Sequence, residues 1–268
     1  MKRTILLILI VLVLADEALA GISVLGGLTR ETTLDPGENY EGTIELYNNS
    51  GEDAQVIVFQ TDYLFYADGS TLYNEPNTIR RSNAGWISYS PSRMTILAGG
   101  TVSVYYEIAV PHESNLRGTY WSVLMIEPIA GAAPPVIEEE DGKITLGVQT
   151  VVRYAVQVIT NIGETGESNI DLASKKLIDV DGKRMLRTEI ENTGERWLRP
   201  AVWLELSDVN GRYVGRFKSD SKRIFPECSV SHYLDLSEVP DGSYTGLFIV
   251  DNGDDRVFGA SYEVRLNR

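Results

Sequence analysis

The segment KITLGVQTVVRYAVQVI, which runs from Lys143 to Ile159, decides how the rest of the chain is interpreted. Its apolar residues recur at every second position: Ile144, Leu146, Val148, Val152, Tyr154, Val156 and Val158. This two-residue period is that of a β-strand, whose side chains alternate between two faces. At about 3.3 Å per residue the strand would span roughly 55 Å, about three times the usual length. We therefore predict one long strand, which either closes a sandwich core or offers its edge or apolar row to another protein.

The segment before this strand, residues 131–142, reads GAAPPVIEEEDG. Its proline, glycine and acidic content predicts a mobile, solvated loop. The carboxylates from Glu138 to Asp141 lack the ligand spacing of a calcium-binding loop. Another acidic stretch, Asp251 to Asp255, is explained by a hairpin turn. We therefore predict no metal site and no cofactor.

The first twenty residues have the pattern of a secretory signal peptide. Lys2 and Arg3 precede an apolar run over residues 5–14, and Ala18-Leu19-Ala20 matches the cleavage pattern. The run is too short to span a bilayer. We predict that residues 1–20 are cleaved and that the protein is exported to the periplasm or the cell surface without membrane insertion.

Charge and cysteine content exclude several classes of protein. The formal net charge of −14 argues against binding nucleic acid or an anionic membrane by general electrostatics. Cys228 is the only cysteine, so an intrachain disulfide is impossible. We predict that Cys228 lies in or near a hydrophobic core.

After residue 20, nearly every segment reads as a short strand ended by a turn. Ala54 to Phe65 is a predicted strand, and Asp68-Gly69 is the turn that follows it. Thr101 to Val110 and Thr119 to Ile126 are further predicted strands. No segment sustains the 3.6-residue period of a helix, and short strands with frequent turns indicate a β-sandwich.

The second half of the chain repeats the plan of the first. A strand ending in Asn48-Asn49-Ser50-Gly51-Glu52 corresponds to one ending in Asn192-Thr193-Gly194-Glu195. A late hairpin also recurs, as Gly118-Thr119-Tyr120 and Gly242-Ser243-Tyr244. We therefore predict an all-β chain of two tandem Ig-like sandwiches, residues 21–160 and 169–268, joined by the polar linker 161–168.

A catalytic constellation is missing from the sequence. The two histidines, His112 and His232, have no partners at the spacing of a triad or a zinc site. We therefore predict that the protein is not an enzyme. The aromatic residues Tyr63, Phe65, Tyr66 and Tyr73 are best explained as cross-strand pairs, with a sugar-stacking patch as the alternative.

The order of motifs in the first half resembles the periplasmic pilus chaperones of the PapD-like superfamily. The resemblance covers residues 21–159. The motifs are, in order, an early arginine at Arg30, LDPGE at 34–38, NNSGE at 48–52, WISYSPSR at 86–93, LAGGTVSV at 97–104, RGTYWSVLMIEP at 117–128 and the alternating strand. The second half also resembles surface proteins of the WxL-interacting type, which pair two Ig-like domains.

The resemblance implies a partner and a set of binding residues. In that family the last strand of the first domain lends apolar residues to an incomplete pilus subunit, which here implies Ile144, Leu146, Val148, Val152 and Tyr154. Two basic residues in the interdomain cleft hold the subunit's C-terminal carboxylate, which implies Arg30 and Arg153. The proline that the family carries soon after its second basic residue is missing after Arg153.

Two functions are therefore open at the level of sequence. The first is an exported chaperone-like protein that binds a pilin-like subunit or surface protein by β-strand donation. The alternative is a non-catalytic structural or adhesive module of the cell surface.

Overall fold

The computed structural model describes residues 21–129, 138–140, 143–145, 151–253 and 256–267. The predicted signal peptide, most of the 131–142 loop, Leu146 and Val148 lie outside the described residues. A short 3-10 helix, Ala84–Trp86, lies between the fifth and sixth strands. Within the described ranges, no helix has the length and apolar character needed to cross a bilayer. The strands are β1 (Ile22–Val24), β2 (Thr29–Leu34), β3 (Asn39–Asn48), β4 (Ala54–Phe65), β5 (Thr71–Asn74), β6 (Ile87–Ser90), β7 (Arg93–Ile96), β8 (Thr101–Ala109), β9 (Gly118–Pro128), β10 (Glu138–Glu140), β11 (Lys143–Thr145), β12 (Tyr154–Ile162), β13 (Ile170–Val180), β14 (Lys183–Asn192), β15 (Ala201–Asp208), β16 (Tyr213–Ser219), β17 (Ser229–Asp235), β18 (Gly242–Asp251) and β19 (Val257–Leu266).

The first sandwich packs two sheets against each other. One sheet has the strand order β1-β3-β8-β6, and the other has the order β2-β12-β9-β4-β5, with β7 also paired to β4. Alternate residues of each strand face the interior, so Ile44 and Val104 from one sheet share a core with Leu124 and Val156 from the other. The pairing of β12 with β2 is parallel.

The second sandwich packs β13-β14-β17 against β16-β15-β18-β19. Its core contains Ile190, Leu204, Phe248 and the fully buried Cys228, as predicted for the cysteine. The predicted fold class, two Ig-like sandwiches in tandem, is confirmed. β12 ends at Ile162 and β13 begins at Ile170, while the predicted domain boundaries stay predictions.

An asparagine holds the same position in both sandwiches. Asn48 and Asn192 each end a strand, and both side chains are fully buried. The Asn48 amide donates to the carbonyl of Glu52 four residues later, at 2.8 Å, and the Asn192 amide donates to the carbonyl of Arg196, at 2.7 Å. The polar asparagine turns that suggested an internal repeat are thus one structural device used twice. Asn48-Asn49-Ser50 also matches the N-glycosylation sequon, and the burial and hydrogen bonds of Asn48 give this asparagine a structural role in the turn.

The single long strand predicted over residues 143–159 is wrong. β11 pairs with β10 in a separate two-stranded sheet, residues 151–153 lie outside any strand, and β12 begins only at Tyr154. The partner strand explains where β12 begins. Tyr154 is paired with Ile126, and β9 ends two residues later at Pro128, which has no N–H to donate to a ladder. The alternation of apolar residues predicts which face of a strand each residue occupies. It does not predict whether the strand is continuous.

Candidate functional site

The start of β12 has one open edge. The whole of β12 pairs with β9, but β2 pairs only with residues 157–162. The N–H of Gln157 donates to the carbonyl of Leu28 at 2.9 Å. The main-chain N–H and C=O groups of the odd-numbered residues of β12 therefore point toward β2. By alternation, the N–H and C=O of Ala155 point to the same side, where no strand of the described residues pairs with them.

Apolar side chains lie beside this open edge. Val151 and Val152 are 43% and 39% exposed, and Ile129 is 37% exposed. A shallow pocket of about 450 Å³ is lined by Ile57, Pro128, Ile129 and Val151, with Glu127 and Arg153 at its side. Unpaired main chain beside apolar pockets is the combination that an added strand requires.

Arg153 lies at this pocket and not in a cleft between the sandwiches. Its guanidinium donates to the Glu127 carboxylate at 2.8 Å, and its side chain is about half exposed, at 53%. An exposed ion pair of this kind stabilises a fold by at most about 1 kcal/mol. Arg153 is therefore available to a partner at low energetic cost.

Arg30 is engaged with its own backbone. Its guanidinium donates to the carbonyls of Leu25, Gly26, Gly27 and Thr29 at distances of 3.0 to 3.2 Å. These residues lead the chain from β1 in one sheet to β2 in the other, and Gly26 and Gly27 both have positive φ, 76° and 84°. Arg30 thus holds together the segment in which the chain changes sheets.

The structure does not bring Arg30 and Arg153 together. Arg30 is paired with Val158, which lies five residues after Arg153 along the chain. At about 3.3 Å per residue this separation is roughly 16 Å. The two arginines contact different groups. The binding of one carboxylate by both of them stays a prediction from the resemblance.

The predicted donor residues have different positions. Tyr154 is partly buried and packs against the first core, which its neighbours Val156 and Val158 complete. Val152 is exposed beside the open edge. Ile144 belongs to β11, and Leu146 and Val148 lie outside the described residues.

The structure contains a cleft between the sandwiches, and the sequence did not predict which residues line it. A pocket of about 480 Å³ is lined by Glu31 and Asn161 from the first sandwich side and by Arg196, Trp197 and Arg199 from the second. Arg196 and Arg199 are both exposed. Nothing in the spacing of R-W-L-R at 196–199 marked these residues, because only the tertiary fold carries that turn to β2.

One carboxylate in this cleft is already neutralised. Glu31 accepts hydrogen bonds from the indole N–H of Trp197 at 2.7 Å and from Asn161 at 3.0 Å, and it pairs with Arg223 at 3.1 Å. The Arg223 guanidinium also lies 4.2 Å from the Trp197 ring centroid. The cleft also contains the carboxylate of Glu164, and its other cations are Arg196 and Arg199, whose guanidinium groups are suited to binding an anion.

The two sandwiches are joined by packed and hydrogen-bonded contacts. Trp121 stacks on Phe225 with a centroid distance of 4.8 Å, and both side chains belong to one core cluster. The N–H of Thr119 donates to the carbonyl of Glu195 at 2.8 Å. A Cβ on Gly118 would lie 2.1 Å from that carbonyl oxygen, so only glycine fits there. The joint therefore holds the open edge and the cleft in a fixed relation.

Buried reactive groups in the second core are closed to substrates. Burial raises the pKa of Cys228 to about 12. Burial, and secondarily the charge of Lys222, lowers the pKa of His232 to about 4. His232 Nδ1 lies 3.1 Å from Ser219 Oγ, but His232 is fully buried, so this contact is structural.

The aromatic cluster is a packing feature, as predicted. Tyr63 lies 5.3 Å from Tyr73 across the β4–β5 pair and 5.5 Å from Phe65. Phe65 in turn meets Phe225 edge-on, at 6.1 Å. Tyr63 and Tyr73 are a cross-strand pair, and Phe65 connects this cluster to the joint between the sandwiches.

No protein-family model matches the chain, and no curated protein matches it by sequence. The class 5 fimbriae chaperone CfaA superposes with a TM-score of 0.49 and 13% identity, over 92% of this chain and 100% of that chain. The CsuC–CsuE chaperone–tip adhesion subunit complex of Acinetobacter baumannii gives 0.44 and 13%, over 90% and 98%. The E. coli chaperone DraB gives 0.40 and 14%, over 92% and 98%.

Proposed function

We propose that this protein is an exported chaperone-like protein that binds a secreted or surface-assembly subunit by adding a strand at the open edge of β12. The observation that carries the proposal is the one-sided pairing of residues 154–156, next to residues 157–162 that pair on both sides. The predicted signal peptide supports a periplasmic or surface location.

The edge and its surroundings are chemically suited to a β-strand of another protein. Main-chain hydrogen bonds to Ala155 would supply affinity, and the pocket lined by Ile57, Ile129 and Val151 would accept an apolar side chain of the client. A free edge beside exposed valines is a hazard for aggregation, and a client strand removes that hazard by covering both.

The cleft supplies a second contact of different chemistry. Arg196 and Arg199 are suited to a carboxylate of the bound subunit, because guanidinium groups bind carboxylates in a two-pronged geometry. In this proposal the cleft fixes one end of the client, while the β12 edge pairs with its strand.

A proline at residue 155 tests the strand addition. Ala155→Pro deletes only an N–H on the open side, so the ladder to β9 stays intact. Ala155→Ser is the matched control, because it changes the side chain and keeps the N–H. The tagged proteins are purified from their native exported fraction, and bound proteins are identified by mass spectrometry.

We expect the wild type and Ala155→Ser to capture a stoichiometric partner and Ala155→Pro to lose at least nine tenths of it. Far-ultraviolet circular dichroism confirms that both variants are folded. Equal capture by all three would refute strand addition at β12. A wild type that captures nothing would favour the structural or adhesive surface module.

A further inference from the structure

β13 is an open sheet edge in the second sandwich. It is the end strand of the sheet β13-β14-β17, and among the described strands only β14 pairs with it. A bulge shifts the register between Leu172 and Ser174, and from Ser174 to Val180 the pairing with β14 is regular. A turn at Asp181 and Gly182 ends the strand. The bulge and the turn thus bound a stretch of regular edge whose main chain is open to pairing on one side.

Three exposed residues of different chemistry share one face of this stretch. Lys175, Leu177 and Asp179 alternate along β13, and Leu177 is paired with the buried Leu186 of β14. All three are exposed, Leu177 by 41%. An apolar residue therefore lies at the centre of the edge, with a cation two residues before it and a carboxylate two residues after it.

Lys175 and Asp179 form no ion pair within the part of the chain that the structure describes. Lys175 Nζ lies 4.1 Å from the ring centroid of Tyr262 on β19, a contact that leaves its charge in place. Asp179 accepts a hydrogen bond from the Gly182 N–H at 3.0 Å. The cross-strand neighbour of Asp179 is an arginine, Arg184, but its guanidinium donates to the carboxylate of Asp241 at 2.7 Å. Both charges of the edge are therefore available to a partner.

The order of these three residues makes the edge complementary to itself. When two copies of one strand pair antiparallel about a two-fold axis at one residue, residues equally far before and after that residue face each other. With the axis at Leu177, Lys175 of each copy faces Asp179 of the other, and the two Leu177 side chains face each other. Ser174 faces Val180, so this register uses the whole regular stretch and stops at the bulge.

We propose that two copies of this chain associate through β13, which joins two three-stranded sheets into one continuous sheet. On the opposite face of the strand Lys176 faces Ile178, so no like charges are directly opposed. A lysine on an edge hinders pairing with most other edges, because its charge is covered without a partner. The aspartate four residues later supplies that partner only when the second strand is β13 itself. This edge is separate from that of β12, and its test is independent of the proposed function.

Sedimentation velocity of the purified exported protein measures the association. The concentrations run from about 1 μM to 1 mM, because one short strand pair is a small interface and small interfaces are weak. We expect a monomer–dimer equilibrium in the wild type. Asp179→Lys and Lys175→Asp each turn two attractive pairs into two repulsive ones, so each should raise the dissociation constant about tenfold. A mixture of these two variants restores both attractive pairs in a mixed dimer, and it should associate like the wild type.

Asp171→Lys is the matched control, because it makes the same charge change on β13 outside the paired stretch and should leave association unchanged. Ala155→Pro, which alters the open edge of β12, should also associate like the wild type. A wild type that stays monomeric, single variants that associate as well as the wild type, or a mixture that associates no better than its components would overturn the proposal. So would loss of the dimer in Ala155→Pro, because the interface would then lie at β12.

Discussion

Asn48 and Asn192, which occupy equivalent positions in the two sandwiches, allow the internal repeat to be tested. In Asn192→Ala, the carbonyls of Arg196 and Ile224 lose donors at 2.7 and 2.9 Å, and the Gly194 N–H loses an acceptor at 2.9 Å. In Asn48→Ala, the carbonyls of Glu52 and Ile96 lose donors at 2.8 and 3.0 Å, and the Ser50 N–H loses its acceptor at 3.0 Å. Asn48 makes two more bonds, to the Leu97 carbonyl at 3.3 Å and from the Ser50 hydroxyl at 2.6 Å. Some of the main-chain groups keep a second partner: the Gly194 N–H also donates to Asn169, and the Ile224 carbonyl also accepts from Leu198.

The magnitude follows from these bonds. Each lost bond costs about 1 kcal/mol, which is the usual net contribution of one hydrogen bond to the stability of a protein. We therefore expect each variant to lose about 3 kcal/mol of unfolding free energy. For a chain of this size that corresponds to a fall in melting temperature of about 6 to 12 °C. The two sites share no partner, so the double variant should lose about 6 kcal/mol.

Urea unfolding followed by tryptophan fluorescence measures these losses, with Thr193→Ala as the control. Thr193 is exposed and adjoins Asn192, so its variant should stay within about 0.5 kcal/mol of wild type. Unequal losses, with one asparagine near zero, would refute the reading of the two turns as one device. A double variant no less stable than the singles would refute their independence.

Two further changes probe the second core. His232 stays neutral in the folded protein down to about pH 4 and becomes protonated near pH 6.5 when unfolded, so stability should be constant above that range and fall by about 3 kcal/mol between pH 6.5 and 4. Urea midpoints across this range measure the slope, and a slope unchanged in His232→Gln would contradict it. Phe225→Ala removes the stack on Trp121 and should cost about 3 to 5 kcal/mol, splitting one calorimetric transition into two. A single transition at the wild-type temperature would show that the ring does not couple the sandwiches.

Local patterns predicted the strands well where one face is buried. β4 matches the predicted strand at both ends, and β8 and β9 match theirs within two residues. β13 and β16 were not predicted, because both lie at sheet edges, where most of their residues are exposed and the alternation of apolar residues is weak. The periodicity of a strand reports burial, so exposed edges leave little trace in the sequence.

The candidate site was predicted only in part. The open edge lies next to Val152, which the alternating pattern had singled out, but the pairing of β12 with β2 could not be inferred from spacing. The resemblance implies Arg30 as a ligand-binding residue, whereas in the structure its guanidinium donates to four nearby carbonyls. The cleft residues Arg196 and Arg199 depend on a contact between segments far apart in the chain, which no local pattern encodes.

The joint between the sandwiches also constrains how the chain matures during synthesis. Trp121 and Leu64 leave the ribosome long before Phe225, the side chain that completes their cluster. At about 5 to 20 residues per second, the roughly hundred residues between Trp121 and Phe225 take about 5 to 20 seconds to make. During that interval the indole of Trp121 in the first half of the chain is not covered by Phe225. The partly synthesised chain is therefore the state most prone to aggregation through Trp121. Folding of the second sandwich, which contains Phe225, ends this exposure.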